Sequence, residues 1–284
     1  MLEKLSHTFQ QALTTHQQED AETYYWFRTS DQELFGLKKE ALSDENYVLM
    51  QQLFEEVVTD PSHFTSKEHR RWYRYLYEDA KLPSSWHGKS IRLYYLFTQD
   101  NLIEDHFLET ILEENFPQLT VMKQSASCFV LIDLDLSLES YEVETFIRAF
   151  IADALVPIQR FSGQQHLVDH ELKEKIVTEL MTFQQHVATQ KRDELLSFAD
   201  VFPFSHKKQK EMLSTPLLTA LQDSETTQMI QILCACNLNS SLAAKKLFIH
   251  RNSLQYRLER FLQQTGLDLR TFSHAMFALI ALKL

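Results

Sequence analysis

The sequence predicts an α+β protein that is mainly helical, with a small central sheet domain and an all-α C-terminal helix-turn-helix domain. Strand and helix patterns alternate between residues 90 and 187, which indicates a sheet covered by helices. Residues 237–269 have the spacing of a helix, a tight turn and a second helix. With 44% hydrophobic residues and only 4 glycines in 284 positions, the chain can bury large cores and offers few flexible linkers.

The first segment, residues 1–65, is predicted to contain a helix, a hairpin and a second helix. Four apolar residues recur at helical spacing within residues 2–17, which favours a short amphipathic helix: Leu2, Leu5, Phe9 and Leu13. Two strands are expected next, because the aromatic run Tyr24–Phe27 consists of strong strand formers. The following helix should begin at the N-cap candidate Ser43 and continue until Pro61 stops it.

Residues 66–195 are predicted to form the sheet domain. It should open with a helix that buries its aromatic residues and leaves a basic face in water: His69, Arg70, Arg71 and Arg74. Strands are predicted at IRLYYLFT and IQRFSG and in a hairpin that turns at Gln124–Ser127, with helices between and after them. Asp133 and Asp135 are expected to be solvent charges at a strand end, since a Mg²⁺ site would need further ligands.

Residues 196–224 are expected to be a connector with a solvated basic run at His206–Lys210, and residues 225–284 the helix-turn-helix domain. The predicted helices of this domain are Thr226–Cys236, Ser240–Leu247, Arg251–Thr265 and Arg270–Leu284. In the second helix the apolar residues Leu242, Ala243, Ala244 and Leu247 should face inward. Gly266 is placed to end the third helix, and the fourth is apolar nearly all round and should be buried.

The third of these helices combines an apolar stripe with a polar face. The stripe consists of Leu254, Leu258, Phe261 and Leu262. The opposite face carries side chains that can hydrogen-bond to base edges or phosphates: Asn252, Ser253, Gln255, Tyr256, Arg257 and Arg260. The alternative is an ordinary amphipathic hairpin whose polar residues meet only water.

The distribution of charge favours nucleic acid over that alternative. Thr226–Leu284 contains seven Lys or Arg and two acidic residues, a net charge of +5, whereas the whole chain carries −11. Residues 1–225 therefore carry −16 by difference. Such asymmetry is typical of a basic DNA-reading segment on an acidic body.

Residues 243–261 follow the pattern A-A-x-x-L-x-V-H-R-N-T-L-x-Y-R-L-x-R-I, which is followed by a glycine and an acidic turn. The matching positions are Ala243, Ala244, Leu247, Ile249, His250, Arg251, Asn252, Leu254, Tyr256, Arg257, Leu258, Arg260, Gly266 and Leu269. Ser253 replaces the usual Thr and keeps its hydroxyl, and Phe248 lies at a turn position where many helix-turn-helix proteins have Gly. This stretch resembles the C-terminal helix-turn-helix of the PucR/CdaR family of bacterial transcriptional regulators. The resemblance implies a degenerate GGDEF-like domain in the middle of the chain.

These observations predict a sequence-specific transcriptional regulator that places the helix from about Arg251 to Thr265 in the major groove of double-stranded DNA. The expected DNA contacts are Lys245, Lys246, His250, Arg251, Asn252, Ser253, Gln255, Tyr256, Arg257 and Arg260. Residues near the helix start are assigned to base edges and nearby phosphates, and the other Lys and Arg residues to phosphates. A homodimer is expected, because one recognition helix contacts too few base pairs for useful specificity. A small-molecule effector of unknown identity is left open.

Two other functions are weighed against this one: a protein-interaction module, and an enzyme of cyclic-nucleotide metabolism. The enzyme lacks support, since the chain contains neither a Gly-Gly-Asp/Glu-Glu-Phe string nor a Gly-rich phosphate loop. No catalytic residue, cofactor or metal site is predicted, because the 12 histidines show no recognised ligand spacing and the 3 cysteines form no framework. Without a long apolar run or a signal peptide, a cytoplasmic protein without a membrane partner is expected.

Overall fold

The computed structural model describes residues 9, 12–14, 24–29, 34–57, 67–77, 80–98, 105–125, 127–138, 140–154, 157–187, 195–204 and 210–284. The chain divides into two compact units. The first consists of Met1–Lys81 and Thr98–Val130, and the second of Leu82–Phe97 and Leu131–Leu284. Strands and helices occur in both units, and the C-terminal end is entirely helical, so the predicted α+β class is confirmed.

The strands are Leu13–Thr14 (β1), Tyr24–Arg28 (β2), Leu34–Lys38 (β3), Glu55–Val57 (β4), Ser90–Thr98 (β5), Thr120–Ser125 (β6), Cys128–Leu134 (β7), Ile158–Ser162 (β8), His166–Leu167 (β9) and Leu195–Ser197 (β10). The helices are Asp44–Leu53 (α1), Lys67–Tyr77 (α2), Asp105–Asn115 (α3), Ser140–Ala154 (α4), Leu172–Val187 (α5), Phe198–Val201 (α6), Thr215–Ala220 (α7), Ser224–Ala235 (α8), Ser240–Lys246 (α9), Arg251–Thr265 (α10) and Phe272–Ala281 (α11). Among the described residues, no helix combines the length and the apolar character needed to cross a bilayer.

The first unit contains a four-stranded antiparallel sheet in the order β1-β3-β2-β4. Helix α1 begins where the sequence predicts, because the Ser43 side chain accepts a hydrogen bond from Asn46 N at 3.3 Å. A hydrophobic core joins this helix to the sheet: Phe27, Phe35, Leu37, Met50 and Phe54. The predicted strands around Tyr24–Phe27 are therefore confirmed as β2 and β3.

Two expectations about this unit are wrong. Leu13 and Thr14 form a strand rather than the end of a helix, because Leu13 pairs with Leu37 across the sheet. Most of residues 2–17 lie outside the described residues. The helix that begins after Ser43 ends at Leu53, well before Pro61, because Glu55–Val57 pair with β2. In both places pairing with a distant strand outweighs local periodicity.

Helices α2 and α3 both pack against β6 within the first unit. Trp72, Tyr73 and Leu76 of α2 are buried, as predicted, and its three arginines are exposed. The expectation for His69 is wrong, because its side chain is only 4% exposed. His69 lies one turn before Tyr73 and therefore belongs to the buried face of the helix.

The second unit contains β8, β9, β10 and most of β5 and β7; the strand order is β10-β8-β5-β7, and β9 pairs with the start of β5. The sequence does not predict β10, which begins at the boundary between the expected sheet domain and the connector. It has three residues, too few for a pattern, and it pairs in parallel with β8 after the crossover through α5. Of the basic run His206–Lys210, only Lys210 is among the described residues, and it is exposed.

Asp133, at the end of β7, is not the solvent charge that the sequence predicts. It is fully buried, and its carboxylate accepts hydrogen bonds from Ser137 N at 2.7 Å, Ser137 Oγ at 2.6 Å and Leu138 N at 3.1 Å. These bonds fix the turn after the strand and offset the cost of burying the charge. Asp135 is exposed, as expected, and pairs with Lys89 Nζ at 2.6 Å.

A row of buried aromatic rings runs through the second unit from β8 to the last helix. Phe161 on β8 contacts Phe183 on α5 with 4.7 Å between ring centroids, and Phe183 contacts Phe198 at 5.9 Å. Phe198 in turn contacts Phe277 on α11 at 5.7 Å. The C-terminal helices therefore share a hydrophobic core with the sheet elements of this unit.

Candidate nucleic-acid interface

The turn between α9 and α10 brings the two helices into a helix-turn-helix arrangement. Phe248 adopts a left-handed conformation with φ of 56°. Its N–H donates to Lys245 O at 3.3 Å, and Ile249 N–H donates to Ala244 O at 3.1 Å. This is a Schellman motif, in which glycine usually occupies the left-handed position. The turn predicted from the helix spacing is therefore present, and Phe248 adopts there a conformation that costs a residue with a side chain roughly 1–2 kcal/mol.

Helix α10 begins and ends at the predicted residues because both ends carry local signals. At the start, His250 Nδ1 accepts a hydrogen bond from Asn252 N at 3.2 Å. At the end, Gly266 has a φ of 74° and donates its N–H to Leu262 O at 2.7 Å. The left-handed backbone at this position favours glycine, because a residue with a Cβ would be strained there.

The inward face of the helix pair largely follows the prediction. Leu254, Leu258 and Phe261 are buried in α10, and Ala243 and Ala244 are buried in α9. Two apolar residues depart from it. Leu242 on α9, which was predicted to face inward, is 44% exposed. Phe272 on α11, the helix that was expected to be buried, is 71% exposed.

The residues predicted to contact DNA are accessible. Nine of them are exposed: Lys245, Lys246, His250, Arg251, Asn252, Ser253, Gln255, Tyr256 and Arg260. Arg257 is half-buried. On α10, Asn252 and Tyr256 lie opposite the buried Leu254 and Leu258, at the centre of the outward face. The other predicted contacts on α10 lie on the two flanks of this centre.

One side of that face lines a groove of about 640 Å³. The groove brings together five of the predicted residues: Asn252, Ser253, Tyr256, Arg257 and Arg260. Its other wall is formed by the corner between α7 and α8, including Asp223, Glu225 and Thr226. The remaining five predicted residues, Lys245, Lys246, His250, Arg251 and Gln255, are not part of it.

Two carboxylates in this wall were not identified from the sequence as part of the site. Asp223 caps α8, and hydrogen bonds from the Thr226 hydroxyl and backbone N–H hold the pKa of this carboxyl below its usual value, with a smaller contribution from the Arg260 charge. Glu225 Oε2 lies 2.9 Å from Arg257 Nη2. The Asp-x-x-Thr spacing is an N-cap signal, but the Glu225–Arg257 pair depends on how α8 packs beside α10.

Comparison with protein families decides the class of this domain. Residues 227–284 match the PucR C-terminal helix-turn-helix domain. Residues 227–284 therefore form a helix-turn-helix domain of the PucR type, the PucR domain. This match confirms the resemblance of the C-terminal helices to the PucR helix-turn-helix, and it supports a DNA-binding role for them.

Other known proteins are similar to this chain over different lengths. The uncharacterized protein YxkF of Bacillus subtilis (strain 168) is 24% identical over 264 residues, covering 89% of this chain and 88% of that protein. The carbohydrate diacid regulator of Escherichia coli (strain K12) is 46% identical over 48 residues, which is 17% of this chain and 12% of that protein. The crystal structure of a regulator of polyketide synthase expression from Bifidobacterium adolescentis aligns with 70% of this chain and 82% of that chain, at a TM-score of 0.36 and 12% identity.

The ion pair between Glu225 and Arg257 of the PucR domain should weaken DNA binding. We expect Glu225→Gln to tighten DNA binding about 2- to 5-fold, because Arg257 loses a competing carboxylate and becomes available to a phosphate. Stability should change little, since an exposed ion pair contributes only about 0–1 kcal/mol. Gel-shift titrations at one salt concentration would measure the change. Glu174→Gln, an equal change of charge at an exposed position on α5, is the control, and an equal gain in both variants would contradict the prediction.

The PucR domain is joined to the rest of the second unit by polar contacts as well as aromatic ones. Gln165 Nε2 donates to the carbonyls of Gln263 and Gln264, at 3.4 and 3.3 Å, at the end of α10. His274 on α11 accepts a hydrogen bond from Asp268 N at Nδ1, 2.9 Å away, and its Nε2 lies 3.3 Å from Ser197 Oγ. Ser197 Oγ donates to Asp200 Oδ2 at 2.6 Å, so this network suits a neutral imidazole with its proton on Nε2.

Burial lowers the pKa of His274 below its usual value of 6.5, although Asp200 and Asp268 oppose the shift. The folded protein therefore binds fewer protons here than the unfolded chain. This contribution to stability is complete above about pH 6.5 and declines as the pH falls below it, by at most about 1.4 kcal/mol per pH unit. We expect urea unfolding to show a smaller loss between about pH 7.5 and pH 5.5 in His274→Gln than in the wild type. His170→Gln changes a side chain that is 89% exposed and is the control. Identical losses of stability in the wild type and both variants would show that His274 does not cause the pH dependence.

Proposed function

We propose that this chain is a sequence-specific transcriptional regulator that binds double-stranded DNA with α10 of its PucR domain in the major groove. The observation that carries the proposal is the outward face of α10, which presents exposed hydrogen-bonding and basic side chains in a domain of the PucR helix-turn-helix class. As a DNA-binding transcriptional regulator, it would act in the cytoplasm. The proposed function involves no catalysis.

The proposed reading of bases rests on the start of α10. Asn252 and Tyr256 lie at the centre of the outward face, where a helix in the major groove comes closest to the base edges. The Asn252 amide has the donor and acceptor needed to recognise adenine, as does the Gln255 amide on one flank. Arg251 on the same flank suits guanine or a nearby phosphate. Ser253 on the other flank can bond to either.

The proposed phosphate contacts surround this centre. Lys245 and Lys246 lie in the last turn of α9, and Arg257 and Arg260 line the groove on the far flank of α10. His250 uses Nδ1 to cap the helix, which leaves Nε2 for a phosphate or base. Such contacts release counterions, so binding should weaken steeply as salt rises.

We also propose that the regulator binds as a homodimer on paired half-sites, since one recognition helix alone gives little specificity. The proposal also includes a small-molecule effector of unknown identity. A cavity of about 200 Å³ lies at the carboxyl ends of the parallel strands β8 and β10 and reaches the end of α10, where its lining includes Arg92, Gln165, Ser197, Gly266 and His274. A small polar molecule there would contact both the sheet and the recognition helix.

Selection of bound DNA from a random pool, using the full chain, tests this function. We expect an enriched sequence, with two half-sites separated by about one helical turn or a multiple of it. Titrations of that DNA at several salt concentrations would separate this function from a protein-interaction module, which should lack the steep dependence on salt. Failure to enrich any sequence would contradict the proposal.

A further inference from the structure

Three side chains that can bind metals meet in the first unit, away from the PucR domain. Helices α2 and α3 both pack on β6, and this brings His69 of α2 close to Glu109 and Glu113 of α3. One possible ligand atom from each residue lies within 4.8 Å of the other two. Imidazole and carboxylate groups are common ligands of divalent cations in proteins.

Burial and distance distinguish this cluster from surface charges. His69 and Glu109 are each only 4% exposed. His69 Nδ1 and Glu109 Oε1 are 3.9 Å apart, which is longer than a hydrogen bond. Two ligands of one Zn²⁺ lie about 3.3–3.6 Å apart, as follows from metal–ligand distances of about 2.0–2.2 Å in a tetrahedron. A shift of a few tenths of an ångström would therefore place both atoms on one ion.

Glu113 supplies the third candidate ligand, with a carboxylate oxygen within 4.8 Å of the other two ligand atoms. It follows Glu109 by one helical turn and therefore shares its face of α3. Glu113 is half-buried, so an ion could enter past it. Two carboxylates balance the charge of a divalent cation, and a neutral imidazole adds a third ligand without adding charge.

We propose that His69, Glu109 and Glu113 form a binding site for a divalent transition-metal ion, with Zn²⁺ as the best match. The imidazole disfavours Mg²⁺ and Ca²⁺, which prefer oxygen ligands. Three protein ligands leave a fourth position of Zn²⁺ open to water. The ion would join α2 to α3, so its binding stabilises the first unit. The proposal does not rest on DNA binding, and no sequence motif indicates it because His69 and the two glutamates come from separate helices.

Calorimetric titration of Zn²⁺ into the metal-free full chain tests the site, with thiols kept reduced. We expect one tightly bound Zn²⁺ per chain and a higher unfolding temperature in its presence. His69→Gln and Glu113→Gln should each weaken this binding by more than about 10-fold. His170→Gln is a matched control, because His170 Nε2 also lies 3.9 Å from a carboxylate, that of Glu171, but on the surface.

Each outcome of the titration decides the proposal. Loss of the tight site in both cluster variants, with His170→Gln unchanged, supports it. Wild-type affinity in either cluster variant, or no tight site in the wild type, overturns it. Circular dichroism checks that the variants fold, and Glu113→Gln keeps the test valid if His69→Gln does not fold, because Glu113 is only half-buried.

Discussion

Phe277→Ala is expected to lower the free energy of unfolding of the second unit by about 3–5 kcal/mol. Phe277 is fully buried on α11, and its ring lies 5.7 Å from that of Phe198 and 5.0 Å from that of Phe202. The substitution removes the apolar contacts of the ring and leaves a cavity that its neighbours can fill only in part. Urea unfolding measured by circular dichroism would give the loss.

Phe272→Ala provides the matched control on the same helix. Its side chain is 71% exposed, so its loss should change stability by no more than about 0.5 kcal/mol. Similar losses in the two variants would show that α11 is not anchored through Phe277. Because this anchor lies partly outside the PucR domain, a fragment containing only residues 227–284 would expose part of its own core, and DNA binding is best measured with the full chain.

Asn252→Ala is expected to relax the preference for one base pair of the target by about 1–3 kcal/mol, which corresponds to one lost bidentate contact. Asn252 lies at the start of α10, opposite the buried residues. Competition gel shifts between the selected sequence and single-base variants would identify the position that loses its preference.

Two controls distinguish base reading from general affinity. Gln263→Ala changes an exposed side chain near the other end of α10 and should leave both affinity and preference unchanged. Lys246→Ala should weaken binding to all DNA about equally, because a phosphate contact carries no sequence information. A uniform loss of affinity for Asn252→Ala, with the base preference intact, would remove it from the reading face.

The helices of the PucR domain could be predicted from the sequence because their signals are local. His250 and Gly266 mark the ends of α10, and the stripe of Leu254, Leu258 and Phe261 marks its buried face. The same kind of reasoning failed where a distant strand supplies the partner. Residues Glu55–Val57 and Leu195–Ser197 are strands only because β2 and β8 pair with them.

In the candidate site, too, some features could be predicted from the sequence and others could not. Its exposed polar residues follow from helical periodicity, since a residue opposite a buried stripe must face solvent. The pair between Glu225 and Arg257 could not be predicted, because it depends on the packing of α8 beside α10. The burial of His69 next to Glu109 depends likewise on two helices that meet on one strand.

Gel-shift titration of the triple variant Arg251→Ala, Asn252→Ala and Gln255→Ala is the most direct test of whether the start of α10 reads the DNA sequence. The variant and the wild type, each as the 284-residue chain, would be titrated with the selected sequence and with a scrambled sequence of equal length. We expect the variant to lose its preference for the selected sequence while retaining weak, salt-dependent binding to both sequences. Full-strength binding that still prefers the selected sequence would contradict it.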